Sequence, residues 1–212
     1  MDDFMATADV KQAKPPWIPA QMPWPRRDGL FRFTVEQTYQ LADLGFFDDR
    51  HVELIEGVLY ELTMLPPLAI ATQLVYLVIQ AIFNHDCHAR AQLPLDLGRR
   101  SLPEPEIAVV PGAIRDYIER HPTTSLLVVE VSDATLRKDR TLKAHLYASA
   151  DLADYWIVNI RDRQLEIHRR PGPDPSRKGR FGYSEITIVP ADGHAVPLAR
   201  PEARVAVADL LP

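Results

Sequence analysis

The chain has 212 residues, 46% of them hydrophobic and 25% charged, with a formal net charge of -5 at pH 7. This is an ordinary globular composition of single-domain length, and its acidic balance argues against a protein that coats nucleic acid through a global positive charge. Its one cysteine, Cys87, excludes an internal disulfide and a thiolate zinc cluster. Because no run of about 18 to 20 apolar residues is present, we predict no membrane association and a cytoplasmic location.

Residues 1–30 predict an extended arm that precedes a single domain over residues 31–212. The stretch "KPPWIPAQMPWPRRDG" is rich in proline, which lacks the backbone donor that a helix needs. Its tryptophans, Trp17 and Trp24, indicate that the arm packs against the domain or against a second subunit.

The first half of the domain alternates helices and strands. Thr34 followed by Gln37 is a capping-box pattern, and "HVELIEGVLYELTM" alternates around a turn at Glu56-Gly57. "LAIATQLVYLVIQAIFN" has apolar residues at helical spacing. The predicted elements are a helix from Thr34 to about Leu44, a hairpin with strands near 52–55 and 58–64, a buried helix over about 68–85, and a strand near 91–97.

The second half predicts a mixed sheet. Short apolar strands are expected at 106–110 and 125–131, with a short helix at "GAIRDYIERH" between them and a longer helix over 135–150. "DYWIVNI", "QLEIHRR" and "GYSEITIV" predict three further strands. Strand, helix and strand in this order indicate an α/β fold.

One acid stands where a fold would favour an apolar residue. Glu130 interrupts the aliphatic run "LLVVEV", and a buried carboxylate is costly unless it is paired or binds a cation. Two other acids, Glu53 in "VELI" and Glu106 at the start of "EIAVV", lie at strand positions. On the following helix, Asp139 and Lys143 share one face with Tyr147, at i, i+4 and i+8.

Carboxylates that converge with a lysine are typical of metal-dependent phosphodiester chemistry. Mg²⁺ prefers oxygen ligands, and a nearby lysine can orient the attacking water. Each residue also has a plainer interpretation. Glu53 could be a surface position, Glu106 could begin a strand at the solvent edge, and Lys143 with Asp139 could form an ordinary i, i+4 ion pair. Glu130 is the hardest to explain in this way.

The order "VELIEGVLYELT", "PEPEIAVV" and "LLVVEVSDATLRKDRTLKAHLYASADLADYWIVNI" resembles the Uma-two family of restriction-endonuclease-like proteins, within the PD-(D/E)xK nuclease superfamily. The resemblance runs from about Phe33 to the C-terminus. It implies a restriction-endonuclease-like core with a mixed sheet flanked by helices, plus an N-terminal hairpin.

The resemblance also implies the site and its chemistry. Glu53, Glu106, Glu130 and Lys143 would be catalytic, Glu106 and Glu130 would bind Mg²⁺ or Mn²⁺, and the substrate would be DNA, cut by a homodimer. The sequence departs from the family pattern in having Glu106 for an aspartate, Ser132 two residues after the central acid where the superfamily has a lysine, and Leu68 for a histidine.

Two other functions remain open from the sequence. The chain could be a catalytically silent binding or assembly module that keeps the nuclease fold, or a metal-dependent hydrolase of a smaller phosphorylated molecule. Residues 161–180 contain seven basic and three acidic residues, and this local charge of +4 could contact phosphates or belong to a solvated hairpin.

Overall fold

The computed structural model of the protein describes residues 29–63 and 65–212. Residues 32–212 form one compact unit. The predicted arm, with its two tryptophans, lies outside the described residues except for its last two positions.

A six-stranded mixed sheet forms the centre of this unit. Its strands are β3 (Cys87–Ala91), β4 (Ile107–Pro111), β5 (Leu127–Ser132), β6 (Asp154–Asn159), β7 (Gln164–Pro173) and β8 (Phe181–Pro190), in the spatial order β3-β4-β5-β6-β7-β8. β5 and β6 are parallel, and every other neighbouring pair is antiparallel. Only the parallel pair needs a crossover connection, and a helical segment provides it. The fold is the predicted α/β type with a mixed sheet flanked by helices.

Helices and short elements cover the two faces of the sheet. α2 (Pro66–Ile82) and a 3₁₀ turn (Val207–Leu210) pack on one face, where Val129 and Trp156 belong to the core. The helical segment between β5 and β6 packs on the other face, with Val128 and Ile157. All six residues of β5 are buried, and because strand side chains alternate between faces, both sides of this strand are covered.

Four small elements flank this core. α1 (Val35–Asp43) begins at the predicted capping box, with Gln37 N donating to Thr34 Oγ1 over 3.2 Å and Thr34 N to Gln37 Oε1 over 3.0 Å. β1 (Val52–Ile55) and β2 (Val58–Glu61) form the predicted hairpin. Its turn residues, Glu56 and Gly57, both have positive φ, at 49° and 81°. A second strand pair, β9 (His194–Ala195) and β10 (Val205–Ala206), and a 3₁₀ turn at Ile114–Tyr117 complete the unit.

The strand predicted near 91–97 is wrong. The strand is β3, at Cys87–Ala91, and the residues after it are irregular, with Gln92 in the left-handed region at φ 50°. Cys87 and Ala89 face one side of β3 while His88 and Arg90 face the other, and all four are buried. Two buried polar side chains hide the hydrophobic pattern of this strand. Among the described helices, none is long and apolar enough to cross a bilayer.

Candidate active site

Glu130 lies on the central strand β5 and is only 3% exposed. Its Oε1 accepts hydrogen bonds from Lys143 Nζ over 2.8 Å and from the hydroxyl of Tyr147 over 2.6 Å. Both donors come from the helical segment that crosses from β5 to β6. The acid inside the apolar strand is therefore paired, as its burial requires.

The crossover segment is not the uniform helix predicted over 135–150. It consists of α3 (Leu136–Lys138), a π-helical stretch (Asp139–Lys143) and α4 (Ala144–Ser149). A π turn inserts an extra residue into the helix and is frequently found at functional sites. The i, i+4 ion pair between Asp139 and Lys143 is absent from the ion pairs of the described chain. Asp139 Oδ2 instead accepts hydrogen bonds from Ser132 Oγ over 2.5 Å and Thr135 Oγ1 over 2.8 Å.

Glu106 stands across from Glu130 at the start of β4. The β4–β5 register pairs Ile107 with Val129, and its continuation by one residue sets the two glutamates opposite each other, on the same face. Glu106 Oε2 accepts hydrogen bonds from Thr72 Oγ1 over 2.9 Å and from Gln92 Nε2 over 3.1 Å.

Glu53, on β1, completes the group and is 1% exposed. Its Oε2 lies 3.5 Å from Lys143 Nζ, so this one ammonium contacts both Glu53 and Glu130. The other oxygen of Glu53, Oε1, pairs with Lys138 Nζ over 2.8 Å, and the backbone N–H of Glu104 donates to Glu53 Oε2 over 3.2 Å. The predicted interpretation of Glu53 as a surface residue is wrong, because the hairpin folds its strand against the crossover helix.

These side chains line one cavity of about 110 Å³. All four residues predicted from the sequence are on its walls. Other charged or polar walls come from His51, Glu61, Glu104, Thr135, Lys138 and Asp139. The hairpin, the strand ends and the crossover helix thus meet at one acidic recess.

The electrostatics of the recess follow from burial and the two lysines. Burial raises the pKa of Glu130 to about 8, although Lys143 opposes the shift. Burial also raises the pKa of Glu106. For Glu53, Lys143 and Lys138 outweigh burial and hold its pKa below the usual range. Burial disfavours the charge of Lys143, but Glu130 and Glu53 outweigh it and raise its pKa, so this side chain is an ammonium that donates hydrogen bonds.

The donor set suits a hard divalent cation. In the described chain, no cluster of three or more His, Cys, Asp or Glu side chains is arranged to hold a metal. Mg²⁺ is commonly held by one or two carboxylates together with water and substrate phosphate. Only one oxygen each of Glu106 and Glu130 is hydrogen-bonded to another described residue, which leaves Glu106 Oε1 and Glu130 Oε2 as the candidate ligands. Their opposed positions fit a shared cation.

Several contributors could not be recognised from sequence reasoning. Lys138 neutralises Glu53, and its Nζ lies 4.4 Å from the centroid of the Tyr60 ring. Glu104 accepts from His51 over 2.5 Å and has a pKa raised by burial. The other acid in "PEPE", Glu104, could have been recognised because it lies two residues before Glu106. Lys138 could not, since the sequence shows it only as one of several basic residues on a helix.

The basic segment 161–180 is largely neutralised. Its arginines form ion pairs, namely Arg161–Asp133 at 3.4 Å, Arg169–Asp154 at 2.9 Å, Arg170–Glu185 at 3.0 Å, Arg177–Asp174 at 3.9 Å and Arg180–Glu56 at 3.6 Å. Five of its seven basic residues are thus paired, four of them with acids outside the segment and Arg177 with Asp174 inside it. The structure favours the interpretation as a solvated hairpin.

Comparisons with known proteins agree with this architecture. None of the curated proteins matches the sequence significantly. A crystal structure of "a putative nuclease belonging to DUF820 from Anabaena variabilis ATCC 29413" is similar with a TM-score of 0.56 and 16% identity, over 76% of this chain and 90% of that chain. At this identity the similarity concerns the fold. The Uma2 family model, with the description "Putative restriction endonuclease", matches residues 35–192, well over half of the sequence. The chain therefore belongs to the Uma2 family, as the resemblance implied.

Proposed function

We propose that the protein is a Mg²⁺-dependent endonuclease that hydrolyses phosphodiester bonds of DNA, with Mn²⁺ as a substitute ion. The observation that carries the proposal is Lys143, whose ammonium contacts Glu130 and Glu53 on the wall of one recess that Glu106 also lines. Opposite charges are arranged there around a space large enough for a reacting group.

The proposed roles follow from protonation and position. Glu106 and Glu130 would hold the cation through their remaining oxygens. When bound, the cation would polarise the phosphoryl group and lower the pKa of a coordinated water. Lys143, as an ammonium, would orient the attacking water and stabilise charge that develops on the phosphate oxygens. Glu53 would fix Lys143 in place.

The size of the recess supports a polymeric substrate. At about 110 Å³ the recess lies below the range of small-molecule sites, about 300–1,000 Å³. A hydrolase that encloses a small phosphorylated molecule is therefore disfavoured. A phosphodiester of an extended strand could present one phosphate at the opening. The homodimer and the cytoplasmic location stay predictions.

The direct test is cleavage of supercoiled plasmid and single-stranded DNA with Mg²⁺ or Mn²⁺. Glu130→Gln and Glu106→Gln keep side-chain size and remove the carboxyl group that would bind the cation, so we expect a loss of cleavage of at least about 100-fold. Glu185→Gln is the matched control, because Glu185 is an exposed acid on β8 whose ion-pair partner among the described residues is the exposed Arg170. Equal cleavage by all four proteins would refute the assignment.

One observation favours the silent module. Oε1 of Glu130 is already bonded to Lys143 and Tyr147, an arrangement that satisfies the buried acid without a metal. If wild-type protein neither cleaves DNA nor gains thermal stability from Mg²⁺ or Mn²⁺, while remaining folded, the recess is a structural ion-pair network and the silent module is the better description.

A further inference from the structure

A second cavity, of about 460 Å³, lies at the free edge of the sheet. β3 is the edge strand, with β4 as its single neighbour within the sheet. The cavity is lined by β3 residues that include His88 and Arg90, by Tyr76 of α2, by Leu93, and by Ile114 and Tyr117 of the 3₁₀ turn. Its volume lies within the range of small-molecule sites, about 300–1,000 Å³.

Arg90 is an unpaired cation on the wall of this cavity. The residue is only 8% exposed, and its Nη1 is fully buried without a hydrogen-bond partner. No acidic side chain of the described chain forms an ion pair with it. Arginine is almost never buried without a compensating acceptor, because the uncompensated charge costs several kcal/mol. Burial accordingly lowers the pKa of Arg90.

The neighbours of Arg90 do not supply an anion. The Tyr117 ring centroid lies 5.6 Å from Arg90 Cζ, but the Tyr117 hydroxyl donates to the Pro111 carbonyl over 2.6 Å. His88 Nδ1 is bonded to the Gly112 carbonyl over 2.9 Å. Burial and then the charge of Arg90 lower the pKa of His121, so this neighbouring ring is a potential cation and not an anion.

We propose that this cavity binds an organic oxyanion, a carboxylate or phosphate attached to an aromatic or apolar group. The oxyanion would be held by Nε and Nη2 of Arg90, since Nη1 is fully buried, and the attached group would lie against Tyr76, Leu93 and Ile114. Guanidinium groups bind both anions through paired hydrogen bonds, and aromatic walls suit a planar ring. The proposal does not depend on nuclease activity, since none of the four candidate catalytic residues lines this cavity.

Titration calorimetry on the full-length protein in EDTA tests this with four probes: phenyl phosphate, benzoate, inorganic phosphate and benzyl alcohol. We expect at least one aromatic anion to bind about tenfold more tightly than either benzyl alcohol or inorganic phosphate. A preference for phenyl phosphate assigns a phosphorylated ligand, and a preference for benzoate assigns a carboxylate. Equal affinity for benzyl alcohol and both aromatic anions, or no binding of any probe, would overturn the proposal.

Two exposed isoleucines locate the binding. Ile114 is 74% exposed and lines the cavity, whereas Ile118 is 79% exposed and does not line it. Ile114→Glu places a negative charge at the opening and should weaken anion binding about tenfold or more, while Ile118→Glu should leave it unchanged. Equal effects of the two substitutions would place the anion elsewhere and refute the site.

Arg90→Met separates binding from folding. Replacement of an uncompensated buried charge by an apolar side chain of similar length should keep or raise the thermal midpoint and abolish anion binding. A folded Arg90→Met protein that binds the anion as well as wild type would contradict the proposal. Should this variant not fold, the pair of isoleucine variants still decides.

Discussion

Glu130 should make the protein less stable as the pH rises, and Glu130→Gln should remove this effect. Its pKa is 4.5 in an unfolded chain and about 8 when folded, because it is buried. Between these values the folded state keeps a proton that the unfolded state has lost, so the free energy of unfolding falls as pH increases. At 1.36 kcal/mol per pH unit, the full difference amounts to about 5 kcal/mol. Below pH 4.5 both states are protonated and the free energy of unfolding is at its upper limit, and above pH 8 it has reached its lower limit.

Urea unfolding in EDTA at pH 5, 6.5, 8 and 9 measures this prediction. Gln resembles the protonated acid, so wild type and variant should have similar stability at pH 5. The variant should become the more stable protein, by about 3 to 5 kcal/mol, at pH 9. Glu185→Gln, an exposed control, should run parallel to wild type. Parallel curves for wild type and Glu130→Gln would refute the reasoning, since they would mean that Glu130 is ionised throughout this range.

Three further substitutions test other contacts by the same urea unfolding, with wild type as reference. Lys143→Met should abolish DNA cleavage and cost about 3–5 kcal/mol at pH 9, because two buried carboxylates lose their shared cation; an unchanged midpoint would show that the ion pairs are not formed. Arg140→Met should cost about 2–3 kcal/mol, because Glu166, 2% exposed in its side chain, loses a two-pronged partner at 2.6 and 2.8 Å; a neutral result would mean that solvent replaces the guanidinium. Gly57→Ala should cost about 2 kcal/mol or more, because φ is 81° and the new Cβ would lie 2.6 Å from Arg32 Cβ; an effect below about 0.5 kcal/mol would show that the turn can rearrange.

The elements with strong local signals were predictable from the sequence. The capping box at Thr34, the Glu56-Gly57 turn and the continuous apolar run of β5 each depend on neighbouring residues, and each was located correctly. β3 could not be placed, because His88 and Arg90 interrupt its hydrophobic pattern although both are buried. Their contacts, with Gly112 and Tyr117, come from residues more than 20 positions later.

The candidate site shows the same division. Glu130 could be recognised as a site residue because its neighbours in the sequence are aliphatic, which predicts that it is buried. Helical spacing did not predict the ion-pair partners of Lys143, since spacing alone favoured Asp139 at i, i+4, whereas Lys143 contacts Glu53 and Glu130. The π turn removes that neighbour relationship and brings in Glu53 from a hairpin 90 residues earlier, which only the assembled fold can do.

The π-helical stretch allows the crossover segment to contain one extra residue beside the recess. Its bonds span five residues where an α-helix spans four, so Asp139–Lys143 contains one residue more than a regular helix would need. Deletion of a single residue there would turn the bond from Ala144 N–H to the Asp139 carbonyl into a regular i→i−4 bond and restore α-helical winding. Tyr147 and the rest of α4 would keep their orientation, and only positions inside the stretch, Lys143 among them, would move. A lineage could therefore gain or lose one residue at this point, and with it the placement of the lysine, without turning α4 away from the sheet.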